Sequence, residues 1–150
     1  MAMLDEALLR RTFRDTLLGV STIPDERTMI AWENEPFDPP QMVDVGPAPL
    51  WVKEHVRVLN ESKSSTGFVE AVGETLYSVE TPKNRGTEEA DALAKAIAEA
   101  LQAGNSLTAT GLTVILEQTE RRPYREDPNH PAWVFKTVAC RWRTFTDSES

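Results

Sequence analysis

Residues 67–101, GFVEAVGETLYSVETPKNRGTEEADALAKAIAEAL, hold a strand, a tight link and a helix in succession. From Gly67 to Thr81, β-branched, aromatic and apolar residues mix with polar ones, as in a strand with one wet side. Pro82 has no N–H to give to a ladder, so the strand is expected to end there. Lys83, Asn84, Arg85 and Gly86 make the link. Thr87 is placed to cap a helix over Thr87 to Leu101, and Glu88, Glu89 and Asp91 set negative charge against the positive end of its dipole. Leu93, Ile97 and Leu101, flanked by Ala90, Ala94 and Ala98, form a narrow apolar stripe suited to lying close on a sheet.

Working outward, Leu50 to Leu59 alternates. Val52, Val56 and Val58 share one side, and Lys53, His55 and Arg57 share the other; only Glu54 interrupts the apolar side. This strand and the one from Gly67 read as a long antiparallel hairpin with a polar tip at Lys63, Ser64, Ser65 and Thr66. Gly73 suggests a bulge or a sharp coil in the second arm. Earlier, Leu4 to Leu18 follows a helical pattern through Leu4, Ala7, Leu8, Arg11, Leu17 and Leu18, ended by Gly19. Ser21 to Arg27 is a loop, and Met29 to Trp32 a short strand. Beyond the central helix, Gly104 and Asn105 are a stop signal. A strand is expected from Thr108 to Thr119 with Leu112, Val114 and Leu116 inward. Arg121 to Pro131 is a charged loop, and a last strand runs from Ala132 to Phe145 with Val134, Val138, Cys140 and Trp142 on one side. Asp147 to Ser150 is a tail.

The order is therefore helix, three strands, helix, two strands. It predicts a single domain of α+β class: a mainly antiparallel twisted sheet with a long hairpin and two helices packed on one face. At 150 residues, such a chain buries roughly 70% of the surface its unfolded form exposes, enough for a core without covalent staples. Cys140 is the single cysteine, which excludes an internal disulfide. No apolar run approaches the ~20 residues that span a bilayer, and residues 1–20 lack the apolar core of a signal peptide, so a soluble, membrane-free protein is expected. The net charge of −8 argues against tight binding to a phosphate backbone, which requires a basic surface. Basic clusters at Lys53 to Arg57, Arg121 to Arg125, and Arg141 with Arg143 read either as balance for nearby acids or as patches that meet an acidic neighbour.

Five of the ten prolines fall between Pro36 and Pro49. This segment is expected to run extended, anchored by Trp32 and Phe37, either as a crossover loop whose aromatics tuck into the parent core or as an arm reaching a neighbouring protomer. Chemistry is hard to find. His55 and His130 lack metal-ligand spacing, and Glu126, Asp127 and His130 are separated by the stiff Pro128, so the expectation is a charged loop without a metal. Cys140, on an apolar strand face, reads as an inert buried thiol. Asn84 to Thr87 looks like a phosphate cradle only until the acids of the next turn are counted; it is a cap. No catalytic, cofactor or metal residues are nominated.

The run Ile30, Ala31, Trp32, Glu33, Asn34, Glu35, Pro36, Phe37, Asp38, Pro39 and Pro40, followed by the valine-rich strand, by Gly73 through Pro82, and by Gly86, Thr87, Ala90, Leu93, Ala94 and Ile97, resembles the tail terminator (tail completion) proteins of long-tailed phages. Trp133 and the alternating last strand fit as well. Asn84 and Arg85 in the turn, and Arg141 with Arg143 near the end, depart from the pattern. The resemblance implies a non-enzymatic virion protein that forms a ring, usually of six copies, on the head-proximal end of the tail tube. There it stops tube growth and offers a surface to a head-tail connector or stopper protein, with DNA passing through the lumen. Candidate contact residues are Trp32, Asn34, Phe37 and Pro39 on the proline segment, Lys63 at the hairpin end, and Arg121, Arg122 and Arg125 in the charged loop. The alternatives are another neck or head-tail connector protein, or a small ligand-binding domain or enzyme; the last would need a pocket of converging polar groups.

Overall fold

A computed structural model of the chain describes residues 4–20, 30–40, 49–63, 68–109 and 111–147. The expected loop over 21–27, Met29, Pro47, Gly67, the hairpin tip at 64–66 and the tail at 148–150 lie outside these residues. The elements are α1 (Glu6–Leu18), β1 (Ile30–Ala31), β2 (Trp51–Lys63), β3 (Phe68–Pro82), α2 (Glu88–Ala100), β4 (Ser106–Ala109), β5 (Leu112–Arg121), β6 (Arg125–Glu126) and β7 (Trp133–Asp147). The strands form one sheet in the order β1-β2-β3-β7-β5-β4, with β6 also paired to β7. The α+β expectation holds, with differences that have physical causes.

The β2–β3 hairpin and the β3–β7 pair are antiparallel and long, running from Trp51↔Glu80 to Lys63↔Val69 and from Pro82↔Trp133 to Phe68↔Asp147. Pro82 is the last residue of β3, and pairing continues past it only through Lys83 N–H to the Ala132 carbonyl (3.0 Å). β1 runs parallel to β2 through Ile30↔Val52, so the sheet is mixed. The strand expected over Thr108 to Thr119 is instead the β4–β5 hairpin, turned at Gly111, whose φ of 81° is the left-handed region that favours glycine. The charged loop after Arg121 contains the short strand β6.

Both helices lie on one face. The rings of Phe13 from α1 and Trp142 from β7 are 6.1 Å apart, while Thr119 from β5 and Cys140 from β7 both donate to the Leu101 carbonyl at the end of α2. Cys140 and Trp142 are two residues apart and so point to the same side of β7. α1 buries Leu9, Thr12, Phe13 and Leu17; of the expected pattern Leu4 and Leu17 are buried and Leu8 is half-buried, whereas Ala7, Arg11 and Leu18 are exposed. Its N-cap is Asp5, whose carboxylate accepts the Leu8 N–H (3.0 Å). α2 buries the expected Ala90, Leu93, Ala94, Ile97 and Leu101. Its start differs from the expectation: the Thr87 hydroxyl donates to the Asp91 carboxylate (3.1 Å) and makes no cap to a backbone N–H.

Gly73 has a different reason from a bulge of its own. The register shift lies opposite, between Val58 and Asn60 of β2. A Cβ on Gly73 would sit 2.2 Å from the Trp142 ring and 2.4 Å from the Arg57 carbonyl, so glycine lets the indole approach the β3 backbone closely. Glu54, which interrupts the apolar side of β2, is buried on the helix-covered face. It accepts from Arg14 (2.9 Å), the Tyr77 hydroxyl (3.1 Å) and the Glu33 N–H (3.3 Å). Burial, and then the neighbouring Glu54 charge and hydrogen bond, push the Tyr77 phenol well above its ordinary range.

Candidate interaction surface

Strand alternation sends Lys53, His55 and Arg57 of β2 to the side of the sheet away from the helices, as expected from sequence. Their neighbours there are Glu74, Leu76, Ser78 and Glu80 of β3, and Phe135, Thr137, Arg141, Arg143 and Phe145 of β7. After β5 the chain runs on along the same edge of β7: the Arg122 N–H donates to the Thr137 carbonyl (2.8 Å), and β6 then pairs Arg125 with Phe135. A groove of about 420 Å³ results, lined by Lys53, His55, Leu76, Ser78, Glu80, Arg122, Pro123, Arg125, Phe135 and Thr137.

Charge on this face is organised in pairs. Glu74 binds Arg57 (2.6 Å) and Arg122 (3.3 Å), and Arg122 also reaches Glu120 (3.1 Å). Burial alone would raise the Glu74 carboxyl, but the Arg57 hydrogen bond and the charges of Arg122, Arg57 and Arg141 prevail and hold it below its ordinary value. Further along, Arg143 lies between Glu70 (3.6 Å) and Glu117 (3.5 Å). His55 meets Glu33 at 2.5 Å.

One end of the face is closed by aromatics. Trp51 stacks on Phe37 (5.1 Å between centroids) and meets the His130 and Trp133 rings edge-on at 5.1 and 6.0 Å. Beside it Glu80 and Asp127, 1% and 2% exposed, share a hydrogen bond. Burial, then the Asp127 hydrogen bond and charge, push the Glu80 carboxyl up to about 9, with Lys53 opposing. It is thus the protonated partner. For Asp127, burial is outweighed by the Glu80 hydrogen bond, the Asn129 N–H (2.9 Å) and His130 (3.2 Å), which hold it below its ordinary value. Asp127 is therefore a buried turn anchor, which corrects the charged-loop expectation for that residue. Glu126 is exposed and pairs with Lys83 (3.1 Å). Among the described residues no group of acidic, histidine or cysteine side chains has the arrangement to hold a metal. The Cys140 thiol is fully buried and pushed up to about 11 by that burial, against a hydrogen bond from Thr119.

The predicted contact residues fall into separate places. Arg122 and Arg125 come together in the groove with Lys53 and His55. Arg121 leaves β5 on the other side, near Lys95, Ala98 and Glu99 of α2. Lys63 ends the described part of β2, far along the hairpin from the groove. In the proline segment, Trp32 packs on the core with Arg14 over its ring at 4.9 Å. Asn34 is exposed in a turn at φ 63°, closed by the Glu35 N–H to the Trp32 carbonyl (3.1 Å). Phe37 joins the Trp51 cluster, and Pro39 is half-buried. Arg10 to Glu33 (2.9 Å) and Arg14 to Glu35 (3.4 Å) tie this segment to α1. The aromatics thus tuck into their own chain. Glu80 was not singled out from sequence; the available signal was an acid beside Pro82 on a strand whose alternate residues face a neighbouring tryptophan.

No helix among the described residues is long and apolar enough to cross a membrane. No family model matches the chain, and no curated protein does. Solved structures do. A protein designated only by a sequence identifier has 15% identity and a TM-score of 0.66, over 94% of this chain and 96% of its own. A chain from the virion of a native gene transfer agent particle has 18% identity and a TM-score of 0.59, over 91% and 94%. At such identities the likeness is one of fold, and it extends over nearly the whole of both chains.

Proposed function

We propose that this chain is a structural protein of a phage-like virion and, within that class, the tail terminator: a ring of six copies that caps the head-proximal end of the tail tube. The observation that carries the reading is the fold shared end to end with a chain of a gene transfer agent virion, 94% of which is covered. The sequence resemblance to tail terminators, from Ile30 through Trp133, supports the finer assignment. The role is mechanical. Its buried acids serve as structural partners, Glu54 for Arg14 and Tyr77, and Asp127 for Glu80 and the 127–130 turn. The open face presents charged residues suited to polar, orientable contacts.

In this reading the ring stops tube polymerisation, binds the tube protein on one side and a connector or stopper protein on the other, and lets DNA pass through its lumen without specific binding. It belongs to the neck of the virion and is assembled in the host cytoplasm. The test is binding of the purified chain to isolated tail tubes and, separately, to portal complexes, followed by sedimentation and microscopy. Rings seated on tube ends support the terminator. Binding to portal complexes alone supports another neck protein, and binding to neither overturns the proposal.

A further inference from the structure

The groove on the open face holds cations of two kinds. Arg122 and His55 are committed to Glu74, Glu120 and Glu33. Lys53 and Arg125 are exposed and make no ion pair with a described residue. Beneath them Glu80, 1% exposed, contributes to the groove lining, with its carboxyl held by Asp127. The groove therefore offers, at its rim, positive charge that no described acid pairs. An occupant that brings negative charge satisfies it.

The chain carries such a segment on the opposite side of its sheet. The first turn of α2 exposes Glu88 and Glu89, which pair with no described residue, whereas Asp91 is taken by Thr87 and by the Tyr124 hydroxyl (2.6 Å). The Tyr124 to Asp91 bond also fixes where this helix start lies. It sits at the groove's end of the molecule, because the next residue, Arg125, lines the groove. Acid and base thus stand near one end but on opposite faces of the sheet. A ring built head to tail needs that disposition, two different and complementary patches on each subunit.

We infer that the groove at Lys53 and Arg125 receives the first turn of α2, with Glu88 and Glu89, from a second copy of this chain, and that this contact is the seam between subunits. The inference rests on the ring reading above, since a monomer has no seam. All four positions are exposed, and the chain's acidic balance of −8 leaves acids in excess for two cations that no described acid pairs.

The test exchanges the charges. K53E/R125E makes the groove acidic, and E88K/E89K makes the helix start basic. Each variant alone is expected to weaken assembly at least about tenfold in mass photometry, because like charges then face each other at every seam. An equimolar mixture restores rings, since each groove again meets an opposite helix start in an alternating ring. Rings that persist undiminished in both variants, or a mixture that stays apart, overturn the seam while leaving the ring reading intact. A wild-type chain that is monomeric at every concentration and ignores tail tubes overturns both. Should a variant fail to fold by circular dichroism, salt titration of the wild-type ring decides. Dissociation on the order of tenfold easier between about 0.05 and 0.5 M salt supports the seam, and indifference to salt contradicts it.

Discussion

On the helix-covered face of the sheet, one acid, Glu54, sits among apolar side chains and is bound by Arg14, Tyr77 and a backbone N–H. On the open face, acids and bases alternate across strands: Glu74 between Arg57 and Arg122, Arg143 between Glu70 and Glu117. The difference lies in the solvent each face sees. A buried carboxylate without partners costs several kcal/mol, so the covered face tolerates Glu54 only with a complete set of donors, and that set joins α1, β2 and β3. Pairs with a half-exposed member, as all of these have, are partly screened and contribute less to folding, which leaves the open face free to be used for contacts. The covered face makes the fold, and the open face is what remains to meet other molecules.

Substitutions can break that contrast. The largest effect is expected for Glu54→Ala, which leaves the fully buried Tyr77 hydroxyl without its acceptor and frees Arg14. A loss of about 3–4 kcal/mol is expected in urea unfolding. A loss below about 1 kcal/mol would mean that the covered face is no more demanding than the open one. Gly73→Ala presses a methyl into the Trp142 ring and the Arg57 carbonyl, and a loss of about 2–3 kcal/mol is expected by the same measurement.

Glu80 sharpens the comparison, because it lies on the open side yet is buried under the Trp51 cluster. Its folded-state pKa of about 9 exceeds the unfolded value near 4.5. Both states are protonated at low pH, and above the unfolded value only the unfolded chain gives up the proton. This group therefore lowers stability as pH rises from about 4.5 towards 9, by up to about 1.4 kcal/mol per pH unit. Glu80→Gln keeps a donor for Asp127 and removes the titration, so its stability should fall less than that of wild type between pH 5 and 8. Parallel pH profiles of the two proteins would contradict the buried pair. The smallest effect is expected for Arg143→Ala, under about 1 kcal/mol, since its two acidic partners are as exposed as it is.

Periodicity and punctuation made the central part of this fold legible. The strand ending at Pro82, the alanine-rich helix and the alternation of β2 follow from the pattern, including the misplaced acid at Glu54. Other features depend on partners that a sequence does not display. Leu8 and Leu9 offer α1 two overlapping stripes, and the one containing Leu9 and Phe13 is chosen by the position of Trp142. The direction of β1, two residues long, leaves no mark in composition. Gly111 was the available signal for dividing one expected strand into β4 and β5, but the apolar alternation from Leu112 concealed it. At the surface, the cluster Lys53 to Arg57 and the cluster Arg121 to Arg125 were each readable. Their meeting in one groove required the β5–β6 segment to run along the edge of β7 past Thr137, beside β3 and β2, a long-range pairing invisible in local sequence.

The account as a whole depends on assembly. Negative-stain microscopy of the purified chain, alone and after incubation with isolated tail tubes, tests it most directly. The expected images show closed rings of six copies viewed down their axis and the same rings capping one end of each tube. Single copies at every concentration, with tube ends left bare, would contradict it.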